Sequence, residues 1–156
     1  MSRRAGLVSS KLLRHLFVLI LVWCGPAWGQ ASTPAGLWQT VSDRTGQPAG
    51  LVRVVEVDGE YIGTVVAVFS PPAPDAHPLC GLCQGDLKDK PVVGMIILRG
   101  VHRSGDAYST GRILDPDEGQ VYNCRIALLD EGLKLEVRGY IGIPFFGRSQ
   151  TWVRKE

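Results

Sequence analysis

The feature that most limits this chain is the regular alternation of short apolar runs with turn signals. Eight runs stand out, at residues 37–41, 51–57, 60–69, 95–102, 107–114, 120–129, 133–141 and 148–154. Stretches such as VVEV, YIGTVVAVF and MIIL are rich in β-branched side chains, which pack better on a pleated strand than in a helical turn. No segment of the mature chain sustains a 3.6-residue apolar period without a Gly or Pro inside it, so the runs read as strands. With 19 glycines and 10 prolines in 156 residues, the chain has the turn residues that many short strands need.

The connections favour antiparallel neighbours. Asp58-Gly59 is a two-residue hairpin signal, because Gly tolerates positive φ. Ser104-Gly105-Asp106 and Asp130-Glu131-Gly132 separate later runs. Asp115-Pro116-Asp117-Glu118-Gly119 joins the fifth run to the sixth, with Pro116 presetting φ and Gly119 suited to a left-handed exit. A parallel pair needs a long crossover, and these links are too short for one. The expectation is an all-β fold: an antiparallel, eight-stranded, up-and-down barrel that closes on itself and so removes its edges. Alternation assigns faces. Leu133, Leu135 and Val137 oppose Lys134, Glu136 and Arg138; Tyr122, Cys124, Ile126 and Leu128 oppose Asn123 and Arg125. The second run is less regular. Arg53 points either into the barrel with a buried partner or, as preferred, outward from a slightly bulged strand.

The first 31 residues read as an export leader. Arg3, Arg4, Lys11 and Arg14 precede the unbroken apolar run LFVLILVWC at 16–24, and Gly25-Pro26 ends it. The run is too short to span a bilayer and suits a secretory h-region. Ala27, Gly29 and Ala31 offer cleavage after Gly29 or, preferably, after Ala31. Trp23 stands where lipidation of Cys24 needs a small residue. The mature domain is then 32–156, and the expected location is periplasmic or secreted. The chain carries 17 Lys+Arg against 15 Asp+Glu; the leader takes four of the bases and no acid, which leaves 13 against 15. The formal +2 therefore reflects an export signal. No basic stripe with interleaved aromatics runs along the sequence, so nucleic acid is not an expected partner.

Residues 70–91 hold five prolines and no periodicity, which marks one long loop. It contains Cys80-Gly81-Leu82-Cys83. In an oxidising compartment the preferred reading is a structural disulfide. A redox pair is disfavoured because no helix follows to lower a thiol pKa. A metal site would need His77 with Cys80 and Cys83 plus a ligand such as Cys124 or His102. Cys124, the odd mature cysteine, has apolar neighbours at alternate positions and reads as a buried thiol, with pairing to Cys80 or Cys83 as the alternative. His77 and His102 have no nucleophile beside them. Asp115 and Asp117 belong to a turn whose backbone they can bond. No catalytic residue, metal or cofactor is expected.

Gly36-Leu37-Trp38 with Arg154 near the end resembles the calycin/lipocalin arrangement, in which such a tryptophan and a late arginine stack at the closed end of the barrel. The mature chain as a whole resembles the bacterial exported family filed as domain of unknown function 2147. The matching pieces are Gly36-Leu37-Trp38, Cys80-x-x-Cys83 with Lys90-Pro91-Val92-Val93-Gly94, Gly111-Arg112-Ile113-Leu114-Asp115-Pro116 with Gly119 and Tyr122, Arg138-Gly139-Tyr140-Ile141-Gly142, and Gly147-Arg148-Ser149-Gln150-Thr151-Trp152 with Arg154. The resemblance implies a lipocalin-like fold and export, and brings no reaction with it. The expected function is non-catalytic binding of a small, partly apolar ligand, with Arg138, Tyr140, Arg148, Trp152 and Tyr122 as ligand-binding candidates. A filled barrel serving as an envelope or interaction protein is the runner-up, and a CxxC redox or metal-binding protein the third reading.

Overall fold

The computed structural model describes residues 33–42, 44–69 and 77–156. The expected leader, its cleavage site and Cys24 lie outside the described residues. Nine strands form one sheet: β1 (Gly36–Val41), β2 (Pro48–Val57), β3 (Glu60–Val68), β4 (Ile96–Ser104), β5 (Ala107–Tyr108), β6 (Gly111–Asp115), β7 (Gln120–Leu129), β8 (Lys134–Tyr140) and β9 (Arg148–Arg154). Every pairing is antiparallel, in the order β3-β2-β1-β9-β8-β7-β6-β4-β5, and β3 also pairs with β4. The sheet is therefore a closed barrel of eight staves, with successive strands as neighbours, as the short connections require.

The fifth expected run is two pieces, β5 and β6, which share one stave beside β4. The break has a local cause. The Ser109 amide donates to the His102 carbonyl at 2.8 Å, while its hydroxyl accepts from the His102 amide at 2.9 Å, so residue 109 leaves the ladder. Leu133 was expected on the inner face of the seventh run. It is 59% exposed and precedes β8, because 130–132 form a short 3-10 turn with Glu131 in the left-handed region. Arg53 points outward: the register of β2 against β3 slips between Leu51 and Val52, and its guanidinium pairs with Glu156 at 3.3 Å. The Asp58-Gly59 turn has positive φ at both residues, as a type I′ hairpin requires.

The two ends of the barrel differ. At one end Arg154 stacks over Trp38, with Cζ 4.1 Å from the ring centroid. Its guanidinium donates to the carbonyls of Gly132 (2.6 Å), Thr33 (2.7 Å) and Ala35 (2.8 Å). The Trp38 indole donates to the Pro34 carbonyl at 2.8 Å. Gly36 leaves room for this lock; a Cβ there would collide with the Arg154 guanidinium. Tyr61 and Tyr108 meet edge-to-face at 5.6 Å. The other end is rimmed by the connections after β1, β3, β6 and β8, because in an up-and-down barrel alternate turns share an end.

Candidate functional site

A cavity of about 620 Å³ opens at the second end. Its inner wall is apolar, with Val52, Val65, Ile97, Val137 and Trp152 contributed by five staves. These positions follow the period-2 alternation that sends every other side chain inward. The cavity is within the range that takes a drug-sized ligand.

The mouth is charged. Asp115 ends β6, and its Oδ1 accepts from the amides of Asp117 (2.9 Å) and Glu118 (3.3 Å), which shapes the 115–119 turn. Its Oδ2 lies 3.3 Å from Nη2 of Arg148, at the start of β9. Burial pushes the Asp115 carboxyl above the usual carboxylate range, opposed by those two amides and reinforced by the charges of Glu118 and Asp117. The Tyr122 hydroxyl donates to Glu118, and that bond, with burial, raises its pKa. Arg44 pairs with Asp117 at 3.3 Å. Deeper in, the Trp152 indole donates to Gln150 Oε1 at 3.1 Å.

Of the ligand-binding candidates, Tyr122, Tyr140, Arg148 and Trp152 line the cavity. Tyr140 sits opposite Asn123, and its hydroxyl reaches Thr110 Oγ1 at 3.3 Å. Arg138 is elsewhere. It follows inward-facing Val137 on β8 and therefore faces out, where it donates to the carbonyls of Pro144 (2.9 Å) and Phe145 (3.3 Å) and to Ser149 Oγ (3.0 Å). Arg138 braces the β8–β9 connection and does not meet the cavity. Arg44, Glu118 and Gln150 also line the cavity, and none of them stands in the sequence as a binding candidate. The signal for Glu118 was topological: the 115–119 turn shares an end with the 141–147 connection.

Cys80 and Cys83 form a disulfide, and both side chains are buried. The described part of the long loop folds back on itself through the Leu79–Pro91 bridge and the bonds Cys80 N to Lys90 O and Val92 N to Pro78 O, each 2.8 Å. Pro78 and Val92 line the cavity. Cys80 Sγ lies 3.3 Å from the Pro116 carbonyl oxygen. At Gly119, with φ of 67°, a Cβ would collide with the Leu82 carbonyl. The disulfide loop thus lies directly against the turn that carries the acids of the mouth. Cys124 is a buried free thiol, and burial pushes its pKa up to about 12. Among the described residues no His, Cys, Asp or Glu group of three or more is arranged to hold a metal ion. No described helix is long and apolar enough to cross a membrane.

No curated protein matches the sequence significantly. Among solved structures, a protein of Helicobacter pylori described as "Protein HP1028 from the human pathogen Helicobacter pylori belongs to the lipocalin family" is similar, with a TM-score of 0.67 and 20% identity. The alignment covers 78% of this chain and 82% of that one, and at this identity it speaks for the fold. It agrees with the closed eight-stave barrel. A bacterial family profile matches residues 36–154. On that match the chain belongs to DUF2147, the family described as "Uncharacterized protein conserved in bacteria".

Proposed function

We propose that the protein is exported, loses residues 1–31, and binds a small, partly apolar molecule inside its barrel without transforming it. The observation that carries this reading is the cavity of about 620 Å³, closed at the Trp38–Arg154 end and open between charged loops. An apolar wall with a few polar groups at one end suits an amphipathic ligand whose tail enters and whose head stays at the mouth. Arg148, Tyr122 and Gln150 are the groups that would meet the head; Trp152 and Val137 would meet the tail. The buried disulfide serves as a staple that fixes the loop beside the mouth.

Native mass spectrometry of the protein isolated from the envelope of its own cells tests the reading. A retained small molecule, released on unfolding, together with an amino terminus at Ser32, is the expected result. A mass equal to the bare chain, with no uptake of an added amphipath such as a long-chain fatty acid or its alcohol, overturns the binding. An intact leader on the protein overturns the export.

A further inference from the structure

The connection between β8 and β9 is unusually apolar for a surface loop. Its side chains Ile141, Ile143, Phe145 and Phe146 are all exposed, the two phenylalanines at 81% and 76%. The rings meet edge-to-face at 5.3 Å on a 3-10 turn over Pro144–Phe146. The backbone behind them is already hydrogen-bonded. The Phe146 amide donates to the Ile143 carbonyl and the Gly147 amide to the Pro144 carbonyl, while Arg138 donates to the carbonyls of Pro144 and Phe145. A loop that enters hydrocarbon must have its backbone polar groups satisfied internally, because lipid supplies no partners. This loop meets that condition at the bonds just named.

The flank beneath the loop is basic, and only the strand register reveals it. Arg99 on β4 sits directly opposite Arg112 on β6, and Arg125 on β7 directly opposite Arg138 on β8. Arg112 is in turn opposite Asn123 on β7. Four guanidinium groups therefore lie on adjoining staves, as two directly opposed like-charged pairs, an arrangement that disfavours folding on its own. Among the described residues no carboxylate comes within 4 Å of Arg99, Arg112 or Arg125. The acid nearest along β8 is Glu136, two residues from Arg138. Two acids of the mouth are charge-paired, Asp115 with Arg148 and Asp117 with Arg44, while Glu118 accepts from the neutral Tyr122 hydroxyl and keeps its charge, one against the four of the flank. Unpaired cations beside an apolar tip complement a surface that is apolar inside and anionic at its face.

We propose that the 141–147 loop and the Arg99–Arg112–Arg125–Arg138 flank dock the barrel, mouth first, on a bilayer that carries anionic phospholipid headgroups. The tip enters the acyl boundary, and the arginines, two (Arg138) to five (Arg125) residues in from the strand ends at that rim, face the headgroup layer and its diffuse charge. Docking requires nothing of the cavity, but it would deliver a membrane-borne amphipath straight to the opening.

The test separates docking from ligand binding by using residues that do not line the cavity. Partition of the full chain onto vesicles of phosphatidylcholine with and without about a third phosphatidylglycerol is compared with that of the variants. The expected result is tighter binding to the anionic vesicles, weakening as salt rises. Arg112→Gln with Arg125→Gln should weaken it about 25-fold, since each juxtamembrane arginine contributes about a factor of five. Ile143→Asp with Phe145→Asp should weaken it at least tenfold, from the lost apolar contact of two side chains. The arginine variants should melt no lower than the parent, which distinguishes docking from a structural role. Because the leader itself is basic and apolar, insertion is read locally. An environment-sensitive thiol label on Phe145→Cys is tested for quenching by nitroxide lipids, against the same label on Leu133→Cys and against the unsubstituted chain. Quenching at position 145 and none at position 133 is expected. Equal quenching at both positions, none at 145, or self-association through the loop in place of vesicle binding overturns the proposal.

Discussion

Replacing Arg154 with Met tests how the closed end is held. Arg154 makes three part-buried hydrogen bonds to backbone carbonyls, at 2.6–2.8 Å, and one stacking contact at 4.1 Å. A hydrogen bond from a charged group contributes about 1.5–3 kcal/mol when well buried, and partial exposure brings each here to about 1 kcal/mol. Stacking on Trp38 adds about 1 kcal/mol. The loss should therefore be about 4 kcal/mol, because Met keeps the apolar stem and supplies no donor. For a domain of this size, with an unfolding entropy of about 0.25 kcal/mol/K, that lowers Tm by about 16 °C. Urea denaturation followed by tryptophan fluorescence measures the same loss. The cycle with Gly36→Ala sharpens it, because a Cβ at Gly36 collides with the same guanidinium. A Cβ there also meets the Glu156 backbone carbonyl, at a φ of +148°, so Gly36→Ala keeps a cost of its own, and the double variant should lose more than Arg154→Met alone but clearly less than the sum of the two single losses. A loss under 1 kcal/mol, or costs that add in full, refutes the lock.

Reduction of Cys80–Cys83, or the change of both to Ser, should lower stability by about 2 kcal/mol, the loop-entropy value for so short a ring; an unchanged urea midpoint would contradict the staple. Gly119→Ala should destabilise by at least about 1 kcal/mol, since it combines positive φ with a collision against Leu82, and should make the buried Cys80–Cys83 disulfide more accessible to an added reductant. Cys124 should resist alkylation at pH 8 until the chain unfolds. Its folded pKa of about 12 lies above the usual thiol value, so the stabilisation it gives is fully present below about pH 9 and is lost as the pH rises towards 12. Stability curves from pH 8 to 11 for the parent and Cys124→Ala check the sign: the parent should fall more steeply.

The barrel was legible because local signals agree with one another. Asp58-Gly59 and the 115–119 turn demand antiparallel neighbours, the β-branched runs demand strands, and closure follows from having eight such runs. The Trp38–Arg154 lock was legible only through resemblance, since the residues are far apart in sequence. The split of β5 from β6 was hidden because it arises from Ser109 bonding to His102, a contact that exists only once β4 is alongside. Arg138 was misplaced by grouping it with its aromatic neighbours. The alternation of β8 already set it outward with Lys134 and Glu136. The arginine flank was invisible along the chain for a physical reason: its members come from four strands, and only register brings them together.

The central claim is that a closed barrel holds room for a guest, and a titration with a lipophilic fluorophore tests it most directly when Val137→Phe is measured beside the parent. Val137 lines the cavity from the middle of β8. The account predicts saturable binding by the parent, at least a tenfold loss in the variant, and no loss of stability, because the added ring occupies empty space. Unchanged binding, or a stability loss of about 1–3 kcal/mol as expected for overpacking a filled core, would contradict it.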